Sequence, residues 1–319
     1  MKNILGIDIA KEKFDVDLLV NEKHKHKIFE NNSNGFSELK DWLDENKATN
    51  IHACMESTGI YGKALAHNLY NQKHTVSVVN PVKIKAFGKS KLMRNKTDKV
   101  DAKVITEFCA QMKPEAWEPK QKHIEELEAL TKRLDNLIDM SQQENNRLES
   151  APKGTSKFIK LTIKHLDKQI KTIKKNINEH MENHEDLRHK RDLLLTIPGV
   201  GEATIAKVLT FLDCPEKFKN AKKVVAYLGL TPRNFESGST VHRKARLSKI
   251  GSAELRKALY FPAITAIRHN PIIKEFYERL LKAGKCKMVA IGAAMRKLVH
   301  IIYGVLKSNR PFDVGLVSS

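Results

Sequence analysis

The spacing of the apolar residues changes at about Ile124, and that change most constrains the fold. Before it they come in short runs: Asn3 to Ile9 (NILGIDI), Lys13 to Val20 (KFDVDLLV), His24 to Glu30, Asn50 to Met55 (NIHACM) and Thr75 to Val79. Runs of this length, the second of them alternating, read as strands. Between them, Phe36, Leu39, Trp42 and Leu43 behind a cap at Ser33 or Asn34 predict one helix, and about Tyr61 to Gln72 predicts another. Pro81 closes the last strand, and a basic stretch leads to a helix bearing Asp98 and Asp101. Strand, strand, strand, helix, strand, helix, strand, helix specifies an α/β domain with a mixed sheet. Beyond Ile124 the pattern is different. Leu127, Leu130, Leu134 and Leu137, then Ile159, Ile163, Leu166, Ile170, Ile173 and Ile177, recur at spacings of three and four on either side of a turn at Ser150 to Ser156. They predict two long heptad helices: an antiparallel hairpin, a dimerisation arm, or a packed helical linker.

The charge narrows the partner. Lys and Arg number 57 against 37 Asp and Glu, a net charge of +20 over 319 residues. An excess spread along the whole chain favours a polyanion, nucleic acid first and an anionic membrane surface second. The membrane reading is the weaker, because no apolar run approaches the roughly 18 residues of a spanning helix. Asp8 also interrupts any signal-peptide core. Cys54, Cys109, Cys214 and Cys286 are far apart and form no CxxC pair, which suits a reducing interior better than a disulfide framework or a zinc site. The expectation is a cytoplasmic protein.

Asp98 and Asp101 are three residues apart, so a helix puts both on one face. Around them lie Lys89, Lys91, Arg94, Lys96, Lys99 and Lys103. Alone, two acids in so basic a stretch read as surface ion-pair partners. Asp8 near the end of the first strand and Glu56 at the end of a later one change that reading. Four carboxylates so placed look like a Mg²⁺ site for phosphoryl transfer, in which two ions about 3.5–4 Å apart activate the attacking oxygen and stabilise the leaving one.

Two features of the second half bear on chemistry. The turn with Pro198, Gly199 and Gly201 reads either as a helix-hairpin-helix that offers backbone N–H groups to a phosphate, or as a plain interhelical turn. The stretch RNFESGSTVHRKARLSKIG reads as a loop with Ser237, Gly238 and Ser239 beside Arg233, His242, Arg243, Lys244 and Arg246. It suits a flexible phosphate-binding loop, or a serine nucleophile whose transition state the cations stabilise. Ala253 to His269 and Met288 to Leu306 read as apolar helices, the latter closely packed through Ala290, Gly292, Ala293 and Ala294.

Together these motifs form a pattern. Asp8 in GIDIAK, Glu56 in MESTGIYG, and Asp98 with Asp101 in NKTDKVDA resemble the four acids of the DEDD-type insertion-sequence transposases related to the Piv DNA invertase. LLLTIPGVGEATIA, VAYLGLTPR and LSKIGSAELRKALY resemble the second half of the same family, so the likeness spans nearly the whole chain. It implies a RuvC-like N-terminal domain of the ribonuclease H fold at residues 1–115, a coiled-coil assembly region at 116–190, and a mostly α transposase domain at 191–319. The implied activity is DNA strand cutting and rejoining, with Asp8, Glu56, Asp98 and Asp101 as Mg²⁺ ligands and Ser237 as covalent nucleophile. Implied partners are double-stranded DNA, a structured guide RNA from the element, and further copies of the chain as a dimer or a synaptic tetramer. Lys89, Lys91, Arg94, Lys96, Gly199, Gly201, Arg233, Arg243, Lys244 and Arg246 are the expected nucleic-acid contacts. The run Glu236-Ser237-Gly238-Ser239 departs from the family's Ser-Ser-Gly-Gly-like pattern, so Ser239 is a rival nucleophile and Ser248 a more distant one. A RuvC-like nuclease or junction resolvase, or a non-catalytic nucleic-acid scaffold, are the alternatives.

Overall fold

The computed structural model describes residues 3–57, 59–91, 97–237 and 241–317, with the backbone alone at 234–237, 241–245 and 316–317. The chain forms two compact units, Met1–Lys120 and Gln121–Ser319.

The first unit runs β1 (Ile4–Ile9), β2 (Lys13–Val20), β3 (Lys23–Glu30), α1 (Ser33–Glu45), β4 (His52–Glu56), α2 (Lys63–Asn71), β5 (Thr75–Val79), α3 (Pro81–Ser90) and α4 (Asp98–Met112). Its five strands form one mixed sheet in the order β3-β2-β1-β4-β5. The first three are antiparallel neighbours, whereas β4 and β5 continue parallel to β1. Asn21 and Glu22 join β2 to β3 with φ of 48° and 61°, the left-handed pair that a two-residue hairpin turn needs to match strand twist.

Alternation sorts the side chains onto two faces. Leu5, Ile7, Phe14, Val16, Leu18, Ala53 and Met55 pack against Leu39 and Leu43 of α1 and Leu65 and Leu69 of α2. On the other face Cys54 and Val79 meet Ile84 of α3 and Val104, Ile105, Phe108 and Cys109 of α4. Each fully buried Leu, Ile or Phe contributes about 1.5–3 kcal/mol. The Cys54 thiol is held above its ordinary range by the Cys109 thiol beside it and by burial.

Two local expectations change. Asn32, rather than Ser33 or Asn34, caps α1, its side chain accepting from the Gly35 N–H. Pro81 ends β5 as expected and also begins α3, because Pro at a first helical position has no N–H to lose.

The second unit contains α5 (Lys122–Glu149), α6 (Lys153–Asn183), α7 (Glu185–Leu195), α8 (Glu202–Leu212), α9 (Ala221–Tyr227), β6 (Pro232–Ser237), β7 (Val241–Leu247), α10 (Ala253–Ala258), α11 (Tyr260–His269), α12 (Pro271–Lys282), α13 (Lys287–Ser308) and α14 (Val314–Val317). α5 and α6 pack on one another, and Ile124, Leu127, Leu134, Ile177 and Met181 enter the same core as Leu194, Leu209 and Leu298. Farther along α6, Phe158 and Leu161 are exposed. Contrary to the expectation that no run approaches spanning length, α13 is long and apolar enough to cross a bilayer. Most of it is buried in this core instead, with Ala290, Gly292 and Ala294 admitting close neighbours. Within the stretch expected to be a loop, β6 and β7 pair as two antiparallel strands, and residues 238–240 between them lie outside the described residues. Pro232 is tolerated because it is the first residue of its strand. The helix expected over Ala253 to His269 breaks at Leu259 into α10 and α11.

Candidate active site

Asp8 lies near the end of β1. On the parallel neighbour β4 the pairing of Met55 with Ile7 brings Glu56, the strand's last residue, to the same sheet end. Asp98 and Asp101 occupy the first turn of α4, where Thr97 caps the helix by accepting from the Val100 N–H at 3.3 Å. The partial positive charge of a helix N-terminus favours carboxylates there.

What brings α4 to β1 is a small residue. A Cβ on Gly6 would lie 2.4 Å from the Ala102 carbonyl oxygen and 2.3 Å from Thr106 Oγ1. Without one, the Gly6 N–H donates to Thr106 Oγ1 at 3.0 Å, and that hydroxyl donates to the Asp17 carbonyl of β2 at 2.8 Å. The helix is thus pinned across β1 and β2 with its acidic end over Asp8.

The electrostatics register the convergence. The Asp8 carboxyl is pushed up from 3.8 to about 6, first by burial and then by the negative charges of Asp101, Asp98, Glu56 and Asp15. Asp98 is held below the usual carboxylate range by Lys13, whose ammonium donates to its Oδ2 at 2.9 Å. Among the described residues, no three His, Cys, Asp or Glu side chains are close enough as they stand to hold one ion. The donor chemistry nevertheless fits a hard divalent cation. All four candidates are carboxylates, and their mutual repulsion at Asp8 is the charge excess such a cation compensates.

Asp15 and Lys13 were not singled out from the sequence. Asp15 is buried and sits directly across from Asp8 on the neighbouring strand. The alternation of Asp15 and Asp17 with Phe14, Val16 and Leu18 was a usable signal, because it puts both acids on the α4 face once β1 and β2 pair.

The expected basic contacts are dispersed. Lys89 is exposed in the last turn of α3, and Lys91 pairs with Glu107 at 3.3 Å. Arg94 and Lys96 lie outside the described residues. The remaining expected contacts are all in the second unit. Gly199, with φ of 97°, is packed on α11, where a Cβ would fall 2.6 Å from Ala266 Cα. Gly201 is exposed with open space around it, at the start of α8, which has no side-chain cap. Arg233 and Arg246 are exposed and paired in register on β6 and β7. Arg243 and Lys244 are on β7, and Ser237 ends β6 opposite Val241; the side chains of these three are not among those described. Ser239 lies outside the described residues, and Ser248 follows β7 with its N–H on the Thr231 carbonyl.

Comparison with known proteins yields a consistent set. A model of the IS110-type DEDD transposase matches residues 5–155, and one described as transposase of the IS116/IS110/IS902 family matches residues 191–278. The pilin gene-inverting protein of Moraxella bovis is 35% identical over 315 residues, 98% of each chain. Its counterpart from Moraxella lacunata is 34% identical over the same span. The transposase for insertion sequence element IS1328 of Yersinia enterocolitica is 23% identical over 287 residues, 80% of this chain and 81% of that one. Among solved structures, T. thermophilus RuvC in complex with a Holliday junction substrate is 12% identical, with a TM-score of 0.28 and coverage of 35% of this chain and 96% of that one.

Proposed function

We propose, for a chain that belongs to the IS116/IS110/IS902 family of transposases, a divalent-metal-dependent DNA strand transfer through a serine–DNA intermediate. Membership makes it an enzyme that recombines DNA. The finer steps are our reading. Asp8, Glu56, Asp98 and Asp101 would hold Mg²⁺, which when bound supplies Lewis acidity at a phosphodiester. The observation that supports this most directly is the charge of Glu56, Asp98 and Asp101 acting on the half-buried Asp8.

Ser237 is the proposed nucleophile, with Ser239 its rival. Its hydroxyl oxygen bonds to the scissile phosphorus, the bond from phosphorus to the leaving strand breaks, and the hydroxyl proton passes to a base. Attack by the hydroxyl of a second strand reverses these changes and frees the serine. Exposed Arg233 and Arg246 on the same hairpin suit phosphate contacts. The net charge of +20 suits binding to two nucleic acids, the double-stranded DNA and a guide RNA encoded by the element. The α5–α6 pair is the proposed coiled-coil arm for assembly of a dimer or synaptic tetramer, in the cytoplasm.

The test is adduct trapping on a denaturing gel, with labelled junction DNA, the element's RNA and Mg²⁺. Wild type should give a protein–DNA adduct that Ser237→Ala abolishes and Asp98→Asn/Asp101→Asn greatly reduces. Loss in Ser239→Ala instead moves the nucleophile by two residues. Cut DNA without an adduct in any lane would leave a RuvC-like nuclease or resolvase, and activity untouched by the Asp replacements would leave a scaffold.

A further inference from the structure

Lys13 opens β2 with its side chain about half exposed. Its ammonium donates to Asp98 Oδ2 at 2.9 Å and lies 3.4 Å from Asp15 Oδ2. Asp15 is 3% exposed, and its other carboxylate oxygen is held by His26 Nε2 at 2.9 Å. A row of polar contacts therefore runs from His26 on β3 through Asp15 and Lys13 on β2 to Asp98 on α4.

The two ends of this row differ. Asp15 is fixed, because burial and two partners leave it no other arrangement. Asp98 is 59% exposed, and an exposed ammonium–carboxylate pair contributes only about 0–1 kcal/mol. Lys13 can release Asp98 and stay moored to Asp15 without any backbone change.

We propose that Lys13 is the built-in counter-cation of Asp98, docked on the buried Asp15–His26 pair, and that a divalent cation gains the Asp98 carboxylate only by displacing it. Lys13 thereby sets the metal affinity of the acid cluster. This inference rests on the reading of the four acids as a divalent-cation site.

The experiment is Mn²⁺ binding to the full chain, without nucleic acid, by isothermal titration calorimetry. Lys13→Met should tighten Mn²⁺ binding about tenfold, since the ion no longer competes with an ammonium at hydrogen-bond distance. Lys11→Met, which removes an exposed charge two residues along the chain that makes no hydrogen bond or ion pair to Asp98 among the described residues, should change it less than about twofold. In an Asp98→Asn background the gain from Lys13→Met should vanish. Equal affinities for Lys13→Met and Lys11→Met, or a gain that persists without the Asp98 carboxylate, would reduce Lys13 to a general field effect and overturn the displacement. Absence of Mn²⁺ binding in both wild type and Lys13→Met at millimolar ion would overturn the metal-site reading itself, and this inference with it.

Discussion

Replacing Asp8 by Asn should stabilise the metal-free first unit while removing one of the four candidate carboxylates. The carboxyl is pushed from 3.8 to about 6 on folding, so its ionised form is penalised in the folded state. Unscreened, that difference amounts to about 3 kcal/mol. Asp8 is only half-buried, and solvent on its open side screens the repulsion, which leaves about 1–1.5 kcal/mol. Asn keeps the shape and discards the charge. The pH dependence has a definite sign. Above about pH 6 the wild-type carboxyl is ionised in both states and the full penalty applies. Between about 6 and 3.8 the folded state binds the proton first, so the penalty from Asp8 is relieved as pH falls and the advantage of Asn disappears.

The assay is built into the sequence. The chain has two tryptophans, Trp42 and Trp117, and both belong to the first unit. Urea unfolding followed by tryptophan fluorescence in EDTA therefore reports that unit alone. At pH 7.5 Asp8→Asn should raise the urea midpoint by about 0.3–1.5 M, taking a slope of about 1–3 kcal/mol per M. By pH 4 the two curves should nearly coincide. A variant less stable than wild type at pH 7.5, or a gap that does not close in acid, would refute the account of Asp8 as a carboxylate under repulsion.

Further predictions concern how the helices are seated. Gly6→Ala puts a methyl 2.4 Å from the Ala102 carbonyl oxygen, so α4 must shift; a loss of about 1–3 kcal/mol is expected by the same fluorescence assay, and an unchanged midpoint would show that α4 has slack. Thr106→Val leaves the Gly6 N–H without its acceptor in a buried place, at a cost of about 1–3 kcal/mol. Retained stability there would mean that another acceptor reaches Gly6. Gly199→Ala combines a left-handed φ with a Cβ 2.6 Å from Ala266 Cα. Calorimetry should show the second unit destabilised by at least about 1–3 kcal/mol, and a neutral result would refute the packing role assigned to that glycine.

The elements of the first unit other than α3 were readable because each is a short run with its own period, and their order already restricts the sheet. The α5–α6 pair was equally plain from its heptad leucines and isoleucines. The β6–β7 pair was not, since Gly and Ser in ESGST look like loop chemistry and the decisive signal is the pairing of a near-neutral segment, PRNFES, with a basic one, VHRKARL. α3 was hidden by Pro81, which punctuates a strand and starts a helix with the same ring. The helix at Met288 to Leu306 was legible, but Arg296 and Lys297 within it masked that it is apolar enough to reach spanning length.

By itself the sequence nominated four candidate acids, through GIDIAK, MESTGIYG and NKTDKVDA, and showed that the chain is basic enough for nucleic acid. Tertiary structure alone decided their company. Strand register sets Asp15 across from Asp8, Gly6 admits α4 over β1, and the pairing of β2 with β3 hands His26 to Asp15. None of these follows from local spacing. A side chain's partners depend on which strand lies beside its own and in what register, and that is settled by burying both faces of the sheet at once.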